Sequence, residues 1–226
     1  MIIEIINKKN ISIDDRLKSI ASLVDKCESF ADIGTDHGYL PIYLISNNIA
    51  NFGYACDVAI GPLNSAKENI SKYQLNDKIM TILSDGLEKV PYVNTVIMAG
   101  MGGILITQLL NNKPIEYDTY ILQANNNIDD LRKYLTNNNY KIIDEVVTYA
   151  HKKYYEIIKV VKGSQTLNDL EIKYGPINLE NKSKLFKEKW SSILNKYENI
   201  LNNFQGNDSE RERLIKEVTE LKDILK

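Results

Sequence analysis

The stretch Phe30-Ala31-Asp32-Ile33-Gly34-Thr35-Asp36-His37-Gly38-Tyr39-Leu40-Pro41 decides how this chain is read. Its short apolar opening reads as a buried strand. Tyr39 to Asn47 reads as a helix, with Pro41 in the first turn, where a missing N–H costs nothing. A strand handed to a helix through a tight glycine turn is the opening unit of an α/β sheet. Such a turn lets a ligand approach the backbone and face the helix N-terminus. The spacing is Gly34-x-x-x-Gly38, and Asp36 stands where a dinucleotide site carries its middle glycine. A carboxylate there repels a phosphate and suits an ammonium group.

Working outward, Ser12 with Asp15 resembles a capping box, and Leu17, Ile20, Ala21 and Val24 follow at helical spacing, which predicts a helix near 13–26. Further strands are expected at 52–56, 79–83, 93–99, 119–123, 141–148 and 154–161. Helices are expected at 61–73, opened by Gly61-Pro62, and at 102–110 and 129–136. The last two strands are joined only by Tyr149 to Lys153, which is hairpin length and too short for a parallel crossover. The expected fold is α/β and Rossmann-like, a seven-stranded, mostly parallel sheet with one antiparallel strand, spanning 1–162.

From 163 to 226 the pattern changes. Gly163-Ser164-Gln165 reads as a loop and Gly175-Pro176 as a break. Phe186, Trp190, Ile193, Tyr197, Ile200 and Phe204 then recur at spacings of four and three, and Leu214, Val218, Leu221 and Leu225 repeat the pattern. Asn207 with Glu210 caps the second run. Two such helices joined by a short connection predict an antiparallel coiled-coil hairpin.

Asp57 ends the second strand and Asp85 follows the third. An acid about twenty residues beyond the glycine turn accepts ribose hydroxyls, and one at the third strand end meets an adenine amino group. Any one of them reads equally well as a cap or loop acid. Acids at three consecutive strand ends (Asp32, Asp57, Asp85) describe a ligand with an amino-acid part and a ribose, S-adenosylmethionine rather than a phosphorylated dinucleotide. Ala99-Gly100-Met101-Gly102-Gly103 follows the fourth strand, where three glycines let a planar group approach the main chain. Close helix–sheet packing also uses glycine there. Gln123 and Asn125 add amides to the same rim, suited to a base edge.

With 226 residues, 43% hydrophobic, 26% charged and a formal net charge of −2, the chain is globular and lacks the overall basicity of many nucleic-acid binders. Cys27 and Cys56 have no metal-type spacing, and His37 and His151 lack partner cysteines, so reduced thiols and no metal site are expected. Met1 to Asn10 is too short for a signal-peptide core, and Val96 to Ile106 is too short to span a bilayer. A soluble, cytoplasmic protein is expected. Local cations carry any RNA contact: Lys152, Lys153, Lys159 and Lys162 in one group, Lys182, Lys184, Lys187, Lys189 and Lys196 in another. A solvated helix face reads the second group equally well.

The ordered motifs Asp32 to Pro41, Asp57-Val58 with Gly61-Pro62, Asp85-Gly86-Leu87-Glu88, Ala99 to Gly103 and Leu122-Gln123-Ala124-Asn125 together resemble the bacterial tRNA (adenine-22-N1)-methyltransferase family. The resemblance runs from about Leu17 to the C-terminus and includes Tyr155-Glu156. It implies a class I methyltransferase domain followed by a coiled coil, and methyl transfer from S-adenosylmethionine to N1 of an adenine in tRNA. It implies cofactor contacts at Asp32, Gly34, Thr35, Asp36, His37, Asp57, Val58, Asp85, Gly86, Ala99, Gly100 and Met101. Within that reading Asp36, His37, Tyr39, Met101, Gly102 and Asn125 are expected at the reacting adenine, and Lys152, Lys153, Lys182, Lys184, Lys187 and Lys189 on RNA. A monomer or weak homodimer is expected. Gly38 stands where some members carry alanine, Asp57 where some carry glutamate, and Ala124 where proline is expected. Other readings are a nicotinamide-dependent oxidoreductase and a non-catalytic RNA-binding or scaffold protein on the same fold.

Overall fold

Every central strand alternates its side chains between two cores. In the computed structural model, which describes residues 11–226, seven strands form one sheet in the order β3-β2-β1-β4-β5-β7-β6. The strands are β1 (Cys27–Ile33), β2 (Ala50–Asp57), β3 (Ile79–Leu83), β4 (Thr95–Met101), β5 (Thr119–Ala124), β6 (Tyr140–Ala150) and β7 (Lys153–Lys162). Val96 and Met98 of β4, Tyr120 and Leu122 of β5, and Ile158 and Val160 of β7 point to one core. Ile97, Ile121 and Ile157 point to the other. These positions are fully buried, which at roughly 1.5–3 kcal/mol per large apolar side chain makes the strand period the main organiser of the sheet.

The helices α1 (Asp15–Ser22), α2 (Tyr39–Ser46) and α3 (Ile60–Lys72) supply the second core, and α4 (Gly103–Asn111) and α5 (Ile128–Asn137) supply the first. The chain runs outward from β1 to β3 and returns to lay β4 beside β1. That reversal is the topological switch point, where open α/β sheets bind ligands at the carboxyl strand ends.

β7 is antiparallel to both β5 and β6, as the short connection predicts. The turn is tighter than expected. Only His151 and Lys152 lie between the strands, both left-handed (φ 50° and 61°), the conformation of a two-residue hairpin whose twist matches its strands. The His151 ring nitrogen Nε2 lies 2.9 Å from Asp14 Oδ2, tying the turn to the start of α1.

Several boundaries differ from expectation. α1 is shorter than 13–26, and its cap is Asp14, whose Oδ1 accepts from the Leu17 N–H at 2.7 Å, not Ser12. β4 runs through Gly100 to Met101, with a register shift between Ala99 and Met101. Met1 to Asn10, expected to be too short for a signal-peptide core, lies outside the described residues.

The tail begins with two short helices absent from the predicted pattern, α6 (Asp169–Tyr174) and α7 (Pro176–Asn181), split at Gly175-Pro176. The hairpin of α8 (Lys184–Asn202) and α9 (Asp208–Leu225) follows, with Asn207 capping Glu210 N–H at 2.9 Å. Phe204 falls beyond the end of α8. The hairpin closes within one chain, and its base shares a third core with the sheet: Val147, Tyr174, Phe186, Leu221 and Ile224, with Trp190 and Tyr154 against them.

Candidate active site at the carboxyl strand ends

The glycine turn stands at the switch point. Gly34 (φ +74°) and Gly38 (φ +70°) are both left-handed, which glycine adopts without the Cβ penalty. A Cβ on Gly34 would lie 2.5 Å from Met101 Cε, so the turn after β1 and the end of β4 meet there. A Cβ on Gly38 would meet Ala66 of α3 at 3.2 Å, so the glycine seats α2 against α3. Asp36 and His37 project from the turn, with His37 Nε2 3.3 Å from Asp36 Oδ1. The His37 and Tyr39 rings stack with centroids 5.5 Å apart, leaving a flat, half-exposed surface beside the turn.

The three acids occupy adjacent strand ends but unequal environments. Asp32 is buried beside Thr35. Burial pushes its carboxyl up to about 6, against the pull of Thr35 and the Arg16 guanidinium. Asp57 is half-buried. Its Oδ1 accepts from Ala59 N–H at 2.7 Å, so one oxygen orders the loop into α3. Val58, beside it, is 69% exposed, an apolar surface at the rim. Asp85 is exposed, on a turn where Gly86 has φ +53°.

After β4 the glycines divide their work. Gly100 (φ +78°) is the irregular residue in the β4–β5 pairing, the kind of bulge that re-aims the chain beside active sites. Gly103 serves packing, since a Cβ there would lie 2.4 Å from Asn127 O. Gly102 lies between and precedes α4. Met101 turns back toward Gly34, so it packs on the turn rather than standing free on the rim.

Gln123, read as a rim amide, and Arg16, which the sequence does not single out, organise this rim. Gln123, fully buried, accepts at Oε1 from Arg16 Nη1 (2.9 Å) and from Gly100 N–H (3.1 Å), and donates from Nε2 to Asn125 Oδ1 (3.0 Å). Asn125 donates from Nδ2 to Gly100 O at 2.7 Å, and its backbone N–H reaches Met101 O at 2.7 Å. The loop is thus held without the proline expected at Ala124. Arg16 enters from α1, distant in sequence, and its guanidinium also faces the Tyr155 ring at 5.8 Å from the centroid. An isolated arginine on an amphipathic helix carries no local sign of this role.

The lysines do not form the groups read from the chain. By the β5–β7 register, Leu122 pairs with Ile158 and Thr119 with Val161. The Lys152–Lys153 tip therefore overhangs the carboxyl end of β5, on the rim. Lys162 stands at the opposite end of the sheet, 3.3 Å from Glu116, and Lys159 is buried and paired with Asp25 at 2.7 Å. Neither belongs with Lys152. Lys184 and Lys187 are exposed on α8, and Lys182 is half-buried at the C-cap of α7.

Lys189 departs from the exposed set. Its ammonium is bonded to Glu156, which with Glu145 flanks the fully buried Arg132; Arg132 Nη2 lies 2.6 Å from Glu156 and 2.9 Å from Glu145. Burial pushes Glu156 up, but Arg132 and Lys189 outweigh it and hold the carboxyl below the usual range. This network pins the tail to the sheet. Among the described residues no group of His, Cys, Asp and Glu fits a metal ion, and no helix is long and apolar enough to cross a membrane.

Residues 30–223 match the family model for tRNA (adenine(22)-N(1))-methyltransferase. The chain is 30% identical to the Bacillus subtilis (strain 168) tRNA (adenine(22)-N(1))-methyltransferase, over 96% of each protein. Among solved structures, Streptococcus pneumoniae Sp1610 in complex with S-adenosyl-L-methionine superposes with a TM-score of 0.85 at 32% identity, covering 95% of this chain and 100% of that one. M. capricolum TrmK in complex with S-adenosyl-homocysteine gives 0.82 at 32%, covering 95% and 99%.

Proposed function

The chain belongs to the tRNA (adenine(22)-N(1))-methyltransferase family, and from this premise we propose which of its residues carry methyl transfer from S-adenosylmethionine to N1 of that adenine. The observation that carries the reading is the adjacency, across the switch point, of a left-handed glycine turn, acids at three strand ends and the Gly100–Asn125 rim. The cofactor fits these residues. Gly34 leaves the backbone open to close approach, Asp32 with Asp36 suits an ammonium, and Asp57 has an oxygen to spare for a ribose. Asp85 with Gly86 and the exposed Val58 face the purine end. Thr35, Ala99 and Gly100 complete the wall. When bound, S-adenosylmethionine supplies an electrophilic methyl group.

The protein has little acid–base work to do, because N1 of neutral adenine already carries a lone pair. Its task is positioning and exclusion of water. The adenine must first leave the RNA stack. The Gly100 carbonyl and Asn125 amide lie where they can grip its edge, the His37–Tyr39 stack offers a flat face, and Gly102 leaves room beside it. Methylation leaves positive charge on the base, which the carbonyl and Asp36 stabilise. Lys152, Lys153, Lys182, Lys184 and Lys187 neutralise phosphates around the rim, and the tail (163–226) holds the RNA against the catalytic domain (1–162). The protein works in the cytoplasm as a monomer or weak homodimer.

The test is mass mapping of an unmodified tRNA after incubation with purified protein and labelled cofactor. One methyl group on the adenine at position 22 is expected. Methylation of another base, or none, rejects the reading.

A further inference from the structure

One residue beyond the rim, a second hollow opens between the β5–α5 loop, the start of β7 and α8, with a volume of about 290 Å³. Asn125 and Asn126 line one side, the start of β7 from Lys153 to Tyr155 another, and Glu156 with Lys189 its floor. None of the three strand-end acids and neither Gly34 nor Gly100 lines it. Asn125 belongs to both spaces, because the side chain that lines the hollow donates to the Gly100 carbonyl. A group seated here is therefore separated from the rim by one side chain.

We propose that this hollow takes the nucleotide that neighbours the methylated adenine in the RNA strand, and so helps select the adenine. The inference rests on the methyltransferase reading above. Its volume lies at the lower limit of small-ligand pockets, room for one base with its sugar and not for a duplex. Tyr154, half-buried and on the same face of β7 as Glu156, offers a ring for stacking, which is how proteins commonly hold unstacked bases. The Tyr154 ring is braced against Tyr149 (centroids 4.7 Å apart), while Tyr155 faces Arg16 on the opposite face of the sheet. The Asn125 and Asn126 amides offer donors and acceptors to a base edge. The floor is polar without a net repulsive charge, since Arg132 and Lys189 neutralise Glu156. Lys153, exposed at the mouth, stands where the strand's phosphate leaves. A base extruded from a folded RNA drags its neighbours, and a seat for one of them holds the strand open while the adenine stays on the rim.

The experiment uses the full chain, saturating S-adenosylmethionine, and tRNAs with an abasic nucleotide immediately 5′ or 3′ of the target adenine. For the unaltered enzyme, one of the two abasic tRNAs loses about tenfold in kcat/KM, the scale of one lost base–aromatic stack. Tyr154→Ala loses a similar factor on ordinary tRNA and shows no further loss on that abasic tRNA. Tyr154→Phe, which keeps the ring, behaves as the unaltered enzyme, and cofactor affinity by calorimetry is the same in all three. Asn126→Ala, on an exposed side chain remote from the tail core, repeats the test with a smaller loss and the same non-additivity. The proposal falls if both abasic tRNAs are methylated as well as ordinary tRNA, or if the abasic loss persists undiminished in the variants. Failure of the underlying reading looks different: ordinary tRNA is not methylated at all.

Discussion

At the rim, charge is left for something else to complete; at the junction of sheet and tail, charge is completed internally. Asp57 and Asp85 stand half-buried and exposed on adjacent strand ends, and Asp32 is buried without a bonded cation. Around them the backbone holds left-handed turns at Gly34, His37, Gly38 and Gly100. Some 30 residues further along the chain from the rim loop (Glu156 against Asn125), the same types of side chain appear sealed: Arg132 between Glu145 and Glu156, with Lys189 closing the set. In the proposed reading the first arrangement is completed by a ligand. The second uses mutual neutralisation to fix how the tail sits on the sheet. Charged residues of the same types therefore carry opposite meanings about 30 residues apart, and what decides is whether an ion-pair partner closes on the buried charge.

The comparison breaks most readily at the junction. Arg132→Met leaves two buried carboxylates facing each other and is expected to destabilise the fold by about 3–5 kcal/mol in denaturant unfolding. Replacing Glu145, Glu156 and Lys189 by apolar residues in the same variant removes the remaining buried charges and recovers most of that loss. A single Arg132→Met change with unaltered stability removes the network from its structural role.

At the rim the expected loss falls on binding and not on the fold. Asp57→Ala raises the cofactor dissociation constant about 100-fold in calorimetry, the worth of a charge-assisted pair of hydrogen bonds, while the unfolding midpoint stays near that of the parent. Unchanged affinity excludes Asp57 from the site.

A smaller, pH-gated effect sharpens the contrast. The Asp32 pKa is raised from 3.8 to about 6, so folding favours its protonated form. The empty protein thereby loses stability as pH rises from about 4 to about 6, and bears the whole cost above that. Cofactor binding that needs the carboxylate runs the opposite way: affinity is flat above pH 6 and falls about tenfold per unit below it. Asp32→Asn flattens the calorimetric pH profile. A profile that is already flat through pH 5 in the unaltered protein contradicts the assignment.

The smallest effects belong to the exposed lysines. Lys184→Ala or Lys187→Ala each lowers the slope of log tRNA affinity against log salt by about 0.7–1, with no change in stability. Lys189→Ala shifts the unfolding midpoint instead. Equal salt slopes in all three variants place RNA contact elsewhere.

Much of the fold was legible because its signals are local. Period-two apolar runs, glycine turns and caps mark strands and helices within a few residues, and the Tyr149–Lys153 spacing alone implies an antiparallel last strand. The cap of α1 was misplaced by two residues because Ser12 and Asp14 are both capping residue types, and it is Asp14 whose carboxylate meets the Leu17 N–H. α6 and α7 were missed because each is too short for an apolar period to repeat. Asp32, Asp57 and Asp85 were legible as strand-end acids, yet their unequal burial was not, since it depends on the depth of each strand in the sheet. Gln123 looked like a rim amide facing a ligand; in the fold it turns inward to Arg16 and Gly100.

Order of elements, the glycine turn, the strand-end acids and the heptad-like tail follow from residue types at short spacings, because hydrophobic period and backbone permissiveness act over one or two turns of chain. Which charges meet does not. Arg16 reaches Gln123 across 107 positions and Lys189 reaches Glu156 across 33, so whether a cation faces RNA or a buried carboxylate is settled only when the sheet brings distant segments together and removes the water between them.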